Sequence, residues 1–210
     1  MGKKLLLIGG GGHCRSVLDS ILSLNTYENI GIIDNIKNTY AGITTIGTDD
    51  DLPSLIKQGW TDAFITVGSI GNTATRIRLY SMIKNLGFNI PVIIDSTAIL
   101  AKDAIIKEGT YIGKKAVINS GANIDECAII NTGAIVEHEC NIGAFSHISS
   151  GSILCGEVNI GASTHIGAGS VIRQQITIEN NVLVGAGSVI VHNVPANVTI
   201  YGNPGKVVQS

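Results

Sequence analysis

Aromatic residues are scarce: they make up 4% of the chain, against an apolar share of 44%. A core with so few rings must be aliphatic and assembled from many small, similar units. Charge of one sign is lacking too. The 14 basic and 16 acidic residues of this 210-residue chain leave a formal net charge of −2. That balance gives no electrostatic basis for binding nucleic acid or an anionic membrane. No apolar run approaches the length that spans a bilayer. Lys3 to Ile8 is basic, then apolar, like the start of a signal peptide. The run is short, however, and passes directly into Gly9–Gly12 with no cleavage site. It reads as a first buried strand, and the expected location is cytoplasmic. The four cysteines, Cys14, Cys127, Cys140 and Cys155, show no C-x-x-C spacing. That gives no support for a zinc knuckle or a redox motif and predicts free thiols. No metal is expected.

What the chain does have is a repeat. Every sixth residue from Ile94 to Ile190 is Ile, Leu or Val, seventeen positions without a slip. Two residues before each rung stands a small residue in most cases, from Ala98 and Ala104 through Cys140 and Ser146 to Ser188; Val158, Ile176 and Val182 are larger. A period of six fits neither a helix nor an alternating strand. It fits a parallel β-helix of short strands and tight turns, with the aliphatic residue inside and the small one letting the turn close. Gly113, Gly121, Gly133, Gly143, Gly161, Gly167 and Gly185, with Asn119, Asp125 and Asn131, are expected at or near the turns, where these types tolerate positive φ. The rungs predict a β-helical unit over 94–210, and residues 1–93 form a separate unit.

That first unit alternates. Lys4–Ile8 is a strand running into four glycines. His13–Leu24 has a helical apolar stripe. Ile30–Ile33 is a strand ending at Asp34. Asp49–Lys57 has an acidic start and Pro53, a helix signature. Ala63–Val67 is a strand, and Asn72–Leu86 is a helix closed by Gly87. This order predicts a small parallel α/β sheet with ligands at the strand C-termini. The glycine turn suits a phosphate at a helix N-terminus. It is not a dinucleotide fingerprint, because Cys14 or Arg15 falls where the third glycine belongs. Asp34 lies about where an acid would meet a ribose, so a sugar nucleotide fits better than hydride chemistry.

His138 falls two residues after the inward Val136, near an outward turn, between Glu137 and Glu139. A neutral imidazole there can take a proton from an attacking amine or hydroxyl, and a carboxylate would fix its tautomer. Cys140 lies on the small-residue ladder and reads as packing rather than as a nucleophile.

The repeat resembles the hexapeptide-repeat acyltransferases, whose left-handed β-helix has three six-residue sides per coil. Gly10-Gly11-Gly12-His13, Asn131-Thr132-Gly133-Ala134, Val136-Glu137-His138-Glu139-Cys140 and Phe145-Ser146-His147-Ile148-Ser149 look more narrowly like the NeuD/PglD group of bacterial sugar acetyltransferases. The tail Tyr201-Gly202-Asn203-Pro204-Gly205-Lys206 is similar to the acyltransferase motif GNPAK. The resemblance implies an acetyl-CoA-dependent enzyme and direct transfer with His138 as general base, strengthened by Glu139. It implies donor contacts at Asn131, His147, Gly167, Ala168, Gly185 and Ala186, and acceptor contacts at Gly11, Gly12, His13, Asp34, Asn35 and Gly68. It further implies a homotrimer with the cleft between adjacent β-helices. The segment Gly68–Asn72 is longer than the matching turn of PglD-like members. Three acceptors or activities stay open: N-acetylation of a UDP-linked 4-amino-4,6-dideoxy sugar, O-acetylation of a sialic acid, and a metal hydratase similar to the γ-carbonic anhydrases. For the last, His147 and His165, eighteen residues apart, would be the metal pair.

Overall fold

The computed structural model describes residues 2–209; Met1 and Ser210, the outer limits of the two expected units, lie outside the described residues. The first part runs β1 (Lys4–Ile8), α1 (Gly12–Leu24), β2 (Asn29–Ile33), β3 (Thr39–Tyr40), β4 (Ile43–Gly47), a 3-10 turn (Asp49–Asp51), α2 (Leu52–Lys57), β5 (Asp62–Ile65) and α3 (Ala74–Asn85). The strand order is β3-β4-β2-β1-β5. β1 pairs in parallel with β2 and β5, and β4 extends β2 in parallel. The sequence reading missed β3 and β4. β3 runs antiparallel to β4, so the sheet is mixed rather than wholly parallel. This hairpin has no fully buried residue, and so carries no hydrophobic pattern to read.

Alternation along β1 decides what covers each face of the sheet. Leu5 and Leu7 point toward Cys14, Val17, Leu18 and Ile21 of α1. Leu6 and Ile8 point toward Leu52, Leu79 and Ile83 of α2 and α3. α1 ends at Leu24, where Asn25 turns into the left-handed region at φ 49. Gly87 closes α3 in the same way, at φ 86.

From Ile93 to Ile190 the chain is a three-sided, left-handed parallel β-helix of two-residue strands paired in parallel with those eighteen residues on, and Leu183–Val184 pairs with Thr199–Ile200, sixteen on. Fourteen of the seventeen rungs, Ile112 to Ile190, are buried. Ile94, Leu100 and Ile106 are only half-buried against the end of that core, because no coil lies beneath the first one. The small ladder does more than leave room. Ser146, Ser152, Thr164 and Ser170 each donate to a backbone carbonyl fifteen residues on, stitching one coil to the next.

Positive φ does not fall where the sequence placed it for most of those residues. It falls on the third residue before each inward rung, at every sixth position from Gly109 to Gly187, with φ between 54 and 72. Gly121 and Gly133 occupy such positions, whereas Gly113, Gly143, Gly161, Gly167, Gly185, Asn119, Asp125 and Asn131 do not. At Gly143 and Gly167 the lack of a side chain serves a different end: a Cβ there would lie 2.5 Å from the amide nitrogen of Ala162 or Ala186 in the next coil.

The three faces differ outside. One eight-stranded face presents Ile93, Tyr111, Ile129, His147, His165 and Leu183, and α1 docks on its first coils. A second, six-stranded face presents the column Ile99, Val117, Ile135, Ile153, Val171, Val189. The third presents Asn123, Asn141 and Asn159, whose amides hydrogen-bond in a ladder. We call them the docking, aliphatic and asparagine faces. The α3 side is fastened by Arg76, which is 2% exposed. Its guanidinium donates to the carbonyls of Cys127 and of Phe145 (2.9 Å), stacked turn residues one coil apart. Burial lowers the Arg76 pKa to about 10, which leaves it charged at neutral pH.

Candidate active site

The four glycines after β1 divide into two pairs. A Cβ on Gly9, at φ 106, would strike Val67 at 2.5 Å, and one on Gly10 would meet the Asn38 side chain at 2.7 Å. The fold itself therefore requires glycine at Gly9, whereas at Gly10 the Asn38 side chain would have to move. A Cβ on Gly11 or Gly12 would meet nothing within 4 Å. These two leave open the approach to the N-terminus of α1, where Gly11 is the cap and no side chain caps the helix. His13 follows, its ring edge-on to Tyr111 at 5.4 Å. Burial, with smaller contributions from His147 and Arg76, lowers its pKa to about 3, so it is neutral. Gly68, after β5, sits beside it: a Cβ there would lie 3.7 Å from His13 Cβ. Asp34 closes the group, but its carboxylate is engaged. It accepts from the Gly10 N–H at 2.5 Å and the Ile36 N–H at 2.8 Å. Here it holds the glycine turn, where the sequence had suggested a ribose contact. Asn35, next along, is exposed. Gly11, Gly12, His13, Asp34, Asn35 and Gly68 thus gather at the C-terminal ends of β1, β2 and β5.

A groove of about 560 Å³ runs along the docking face and its corner with the aliphatic face. Asn131, His147, Gly167, Ala168, Gly185 and Ala186 all line it. The His147 tautomer follows from its partners. Nδ1 faces the Ser69 carbonyl at 3.2 Å and must donate, so Nε2 accepts from the Asn131 amide at 3.2 Å. Burial lowers the His147 pKa to about 4, opposed by that Ser69 hydrogen bond, and burial also lowers that of His165. His147 and His165 stack as their spacing requires, with ring centroids 4.9 Å apart. Ser69 and Asn131 engage His147, and Ser149 faces His165 Nε2, while the buried His165 Nδ1 has no hydrogen-bond partner among the described residues. Among the described residues no group of three or more His, Cys, Asp or Glu could hold a metal ion.

His138 stands elsewhere. It is exposed at the corner between the aliphatic and asparagine faces. Its Nδ1 lies 3.2 Å from Glu139 Oε2. An Nδ1–H donating to that carboxylate leaves Nε2 with a free lone pair, the state a base needs. Glu139 holds this position at φ 57, a conformation that strains any residue with a Cβ. The sequence reading missed Gly156. It lies one coil above His138, and a Cβ on it would collide with the imidazole. The Gly156 N–H has no hydrogen-bond partner among the described residues. No sequence signal marks this residue, because its role depends on a neighbour eighteen positions away. Cys140 is packing as expected: it is fully buried, its thiol donates to the Cys155 carbonyl, and burial pushes its pKa up to about 11. The other three cysteines are also free.

Within one chain, then, the groove and His138 lie at opposite edges of the aliphatic face and do not meet. Among the described residues no helix is long and apolar enough to cross a membrane.

Residues 4–83 match the PglD N-terminal domain, and residues 157–192 match the bacterial transferase hexapeptide of six repeats. The acetyltransferase domain of PglB from Neisseria gonorrhoeae, in complex with acetyl coenzyme A, superimposes with a TM-score of 0.93 at 37% identity, over 99% of this chain and 100% of that one. PerB from Caulobacter crescentus, in complex with CoA and GDP-perosamine, superimposes with a TM-score of 0.92 at 31% identity, over 98% of this chain and 97% of that one. WeeI from Acinetobacter baumannii, at 21% identity and a TM-score of 0.80 over 98% of this chain and 100% of that one, shares the fold. No curated protein sequence matches.

Proposed function

The chain belongs to the acetyl-CoA-dependent sugar N-acetyltransferases of the PglD and PerB type, and from that premise we propose that it acetylates the amino group of a UDP-linked 4-amino-4,6-dideoxy sugar, with His138 as general base. The observation that carries this reading is the His138–Glu139 pair, exposed at a corner, oriented by a carboxylate, and free at Nε2. In the proposed step Nε2 takes a proton from the sugar amine as its nitrogen attacks the thioester carbonyl. The new N–C bond forms, the C–S bond breaks, and the thiolate leaves as coenzyme A. The Gly156 N–H, beside the imidazole, is the natural donor to the tetrahedral oxyanion; such a donor is worth about 3 kcal/mol.

The groove fits acetyl-CoA, with the thioester end near Asn131 and His147 and the pantetheine arm along Gly167-Ala168 and Gly185-Ala186. On the acceptor side, the open backbone at Gly11–Gly12 and the α1 dipole suit a diphosphate.

One chain supplies both halves of the site but cannot bring them together. The aliphatic face between them presents a column of Ile and Val, with Ile99 64% exposed. Covering that column with a second copy would set the groove of one protomer against the His138 corner of the next. We read this as a closed homotrimer with three equivalent clefts.

The test is acetyl-CoA consumption with a panel of UDP- and GDP-linked amino sugars and free sialic acids, for the natural chain and His138→Ala. UDP-amino-sugar turnover is expected, lowered about 10²–10⁴-fold in the variant, with coenzyme A binding retained. Turnover of the GDP sugar alone would change the nucleotide. Efficient sialic acid acetylation without UDP binding would replace N- by O-acetylation. Near-normal turnover in the variant would remove His138 from the mechanism.

A further inference from the structure

The turn between β5 and α3 is tied at several points and bare at its tip. Thr66 Oγ1 donates to the Gly9 carbonyl at 2.6 Å. The Ser69 carbonyl accepts from His147, and Thr73 Oγ1 donates to Ser163 Oγ at 2.8 Å. Between these ties stands Ile70, with 76% of its surface exposed. Exposed turn tips favour Gly, Asn, Asp and Ser, which suit the backbone and water. A β-branched aliphatic residue gains nothing there from the turn itself.

Its position supplies the reason. Ile70 forms one wall of the 560 Å³ groove, which Leu183 and Tyr201 also line. A Cβ on the adjoining Gly71 would lie 3.7 Å from Leu183 Cδ2, so the tip rests at the level of Leu183. Leu183 pairs with His165, which pairs with His147. The tip is therefore two coils along the stack from His147, about 10 Å at the usual strand spacing. That separation matches a pantetheine arm rather than an acetyl group, and the arm carries methylenes and a gem-dimethyl group that an aliphatic wall can cover.

We propose that Ile70 is a donor-binding residue, an apolar wall that the N-terminal unit contributes against the pantetheine arm of acetyl-CoA. The proposal rests on reading the groove as the donor site. It gives the 68–72 segment two fronts: Gly68 borders the acceptor turn beside His13, and Ile70, two residues on, borders the donor.

Calorimetric titration of the full chain with coenzyme A tests this, using Ile70→Ala, Ile70→Val and Ala186→Trp. Ile70→Ala is expected to weaken coenzyme A binding about fiftyfold, the loss of roughly three buried carbons, and to raise the acetyl-CoA KM more than it lowers kcat. Ile70→Val should recover most of the affinity. Pantetheine 4′-phosphate should lose affinity by a similar factor in Ile70→Ala. Coenzyme A affinity within twofold of the natural chain in Ile70→Ala, while Ala186→Trp abolishes binding, would overturn the proposal and leave the groove as the donor site. Undiminished binding in Ala186→Trp would overturn the groove reading itself.

Discussion

The two corners that border the aliphatic face have the same backbone and opposite surfaces. On the groove side the left-handed positions are Lys115 in the first coil, at φ 54, and then Gly133, Gly151, Gly169 and Gly187, at φ 65 to 68. On the other side they are Gly121 in the first coil, at φ 71, and then Glu139, Glu157 and Gln175, at φ 57 to 60. Such a conformation costs a residue with a Cβ about 1–2 kcal/mol, so glycine would relieve strain at either corner. Crowding does not explain the groove-side glycines, since a Cβ on any of those four would meet nothing within 4 Å. Local packing is indifferent at one corner, and local strain is tolerated at the other. On the proposed function, residue choice there follows what approaches from outside: a bare edge for a ligand against the backbone, and full side chains where a carboxylate meets His138.

A block on the bare edge should have the largest effect. Gly169→Phe is expected to fold, because Phe145 already holds the same backbone conformation at φ 60. It should weaken coenzyme A binding about a hundredfold, roughly 3 kcal/mol of overpacking. Unchanged calorimetric affinity would mean the glycine column is not reserved for a ligand, and the contrast between corners would lose its meaning.

Acid should sharpen the contrast on the docking side. Burial holds His13 at a pKa of about 3 and His147 at about 4, below the unfolded value near 6.5. As pH falls, the unfolded chain takes up these protons first. The contribution of each histidine is complete above about pH 6.5 and is lost progressively as pH falls toward the folded values, on the order of 1–2 kcal/mol apiece by pH 5. Urea unfolding at pH 7.5 and pH 5 should show that loss, and His13→Phe should reduce it. Equal losses in the variant and the natural chain would place the proton uptake elsewhere.

The smallest change in stability should come from Glu139→Gly, and its sign is the point. Relief of left-handed strain, offset by the entropy of glycine, should raise stability by about 0.5–1 kcal/mol. Turnover should fall about tenfold with a displaced pH–rate profile, since the carboxylate orients the imidazole. A variant that is both more stable and fully active would remove Glu139 from the site.

The β-helix was legible because its rule is local and repeats: one inward aliphatic residue in six, each buried by the same geometry. Ile94, Leu100 and Ile106 obey the rule yet are half-buried, because burial also needs a neighbouring coil. The left-handed positions were misplaced for a related reason. Gly, Asn and Asp are the sequence markers of such positions, but Glu139, Phe145 and Gln175 hold the same conformation, and Gly143 and Gly167 serve close coil contacts. Motif residues such as Asn131, His147 and Gly167 were visible by resemblance, and they share one groove. Gly156 and Ile70 belong to no motif. Their significance comes from residues brought near by stacking or by domain contact, and a linear reading has no access to either. Tyr40 escaped for yet another reason: its hydroxyl donates to the Gly10 carbonyl at 2.6 Å from a hairpin with no pattern.

The eighteen-residue pairing from Ile93 to Ile190 makes the β-helix a ruler. From Ile93 to Ile190 the backbone pairing repeats coil by coil, so a whole coil could be gained or lost there without leaving a backbone bond unmet, whereas a change of another length inside that stretch would break register. The hairpin of Thr199–Gly202 and Gly205–Gln209 caps that ruler and brings Tyr201 to the groove. The distance from His147 to Tyr201 can therefore change only in steps of about 4.8 Å. On the proposed reading of the groove, the length of donor this scaffold accommodates is counted in coils before any side chain is chosen.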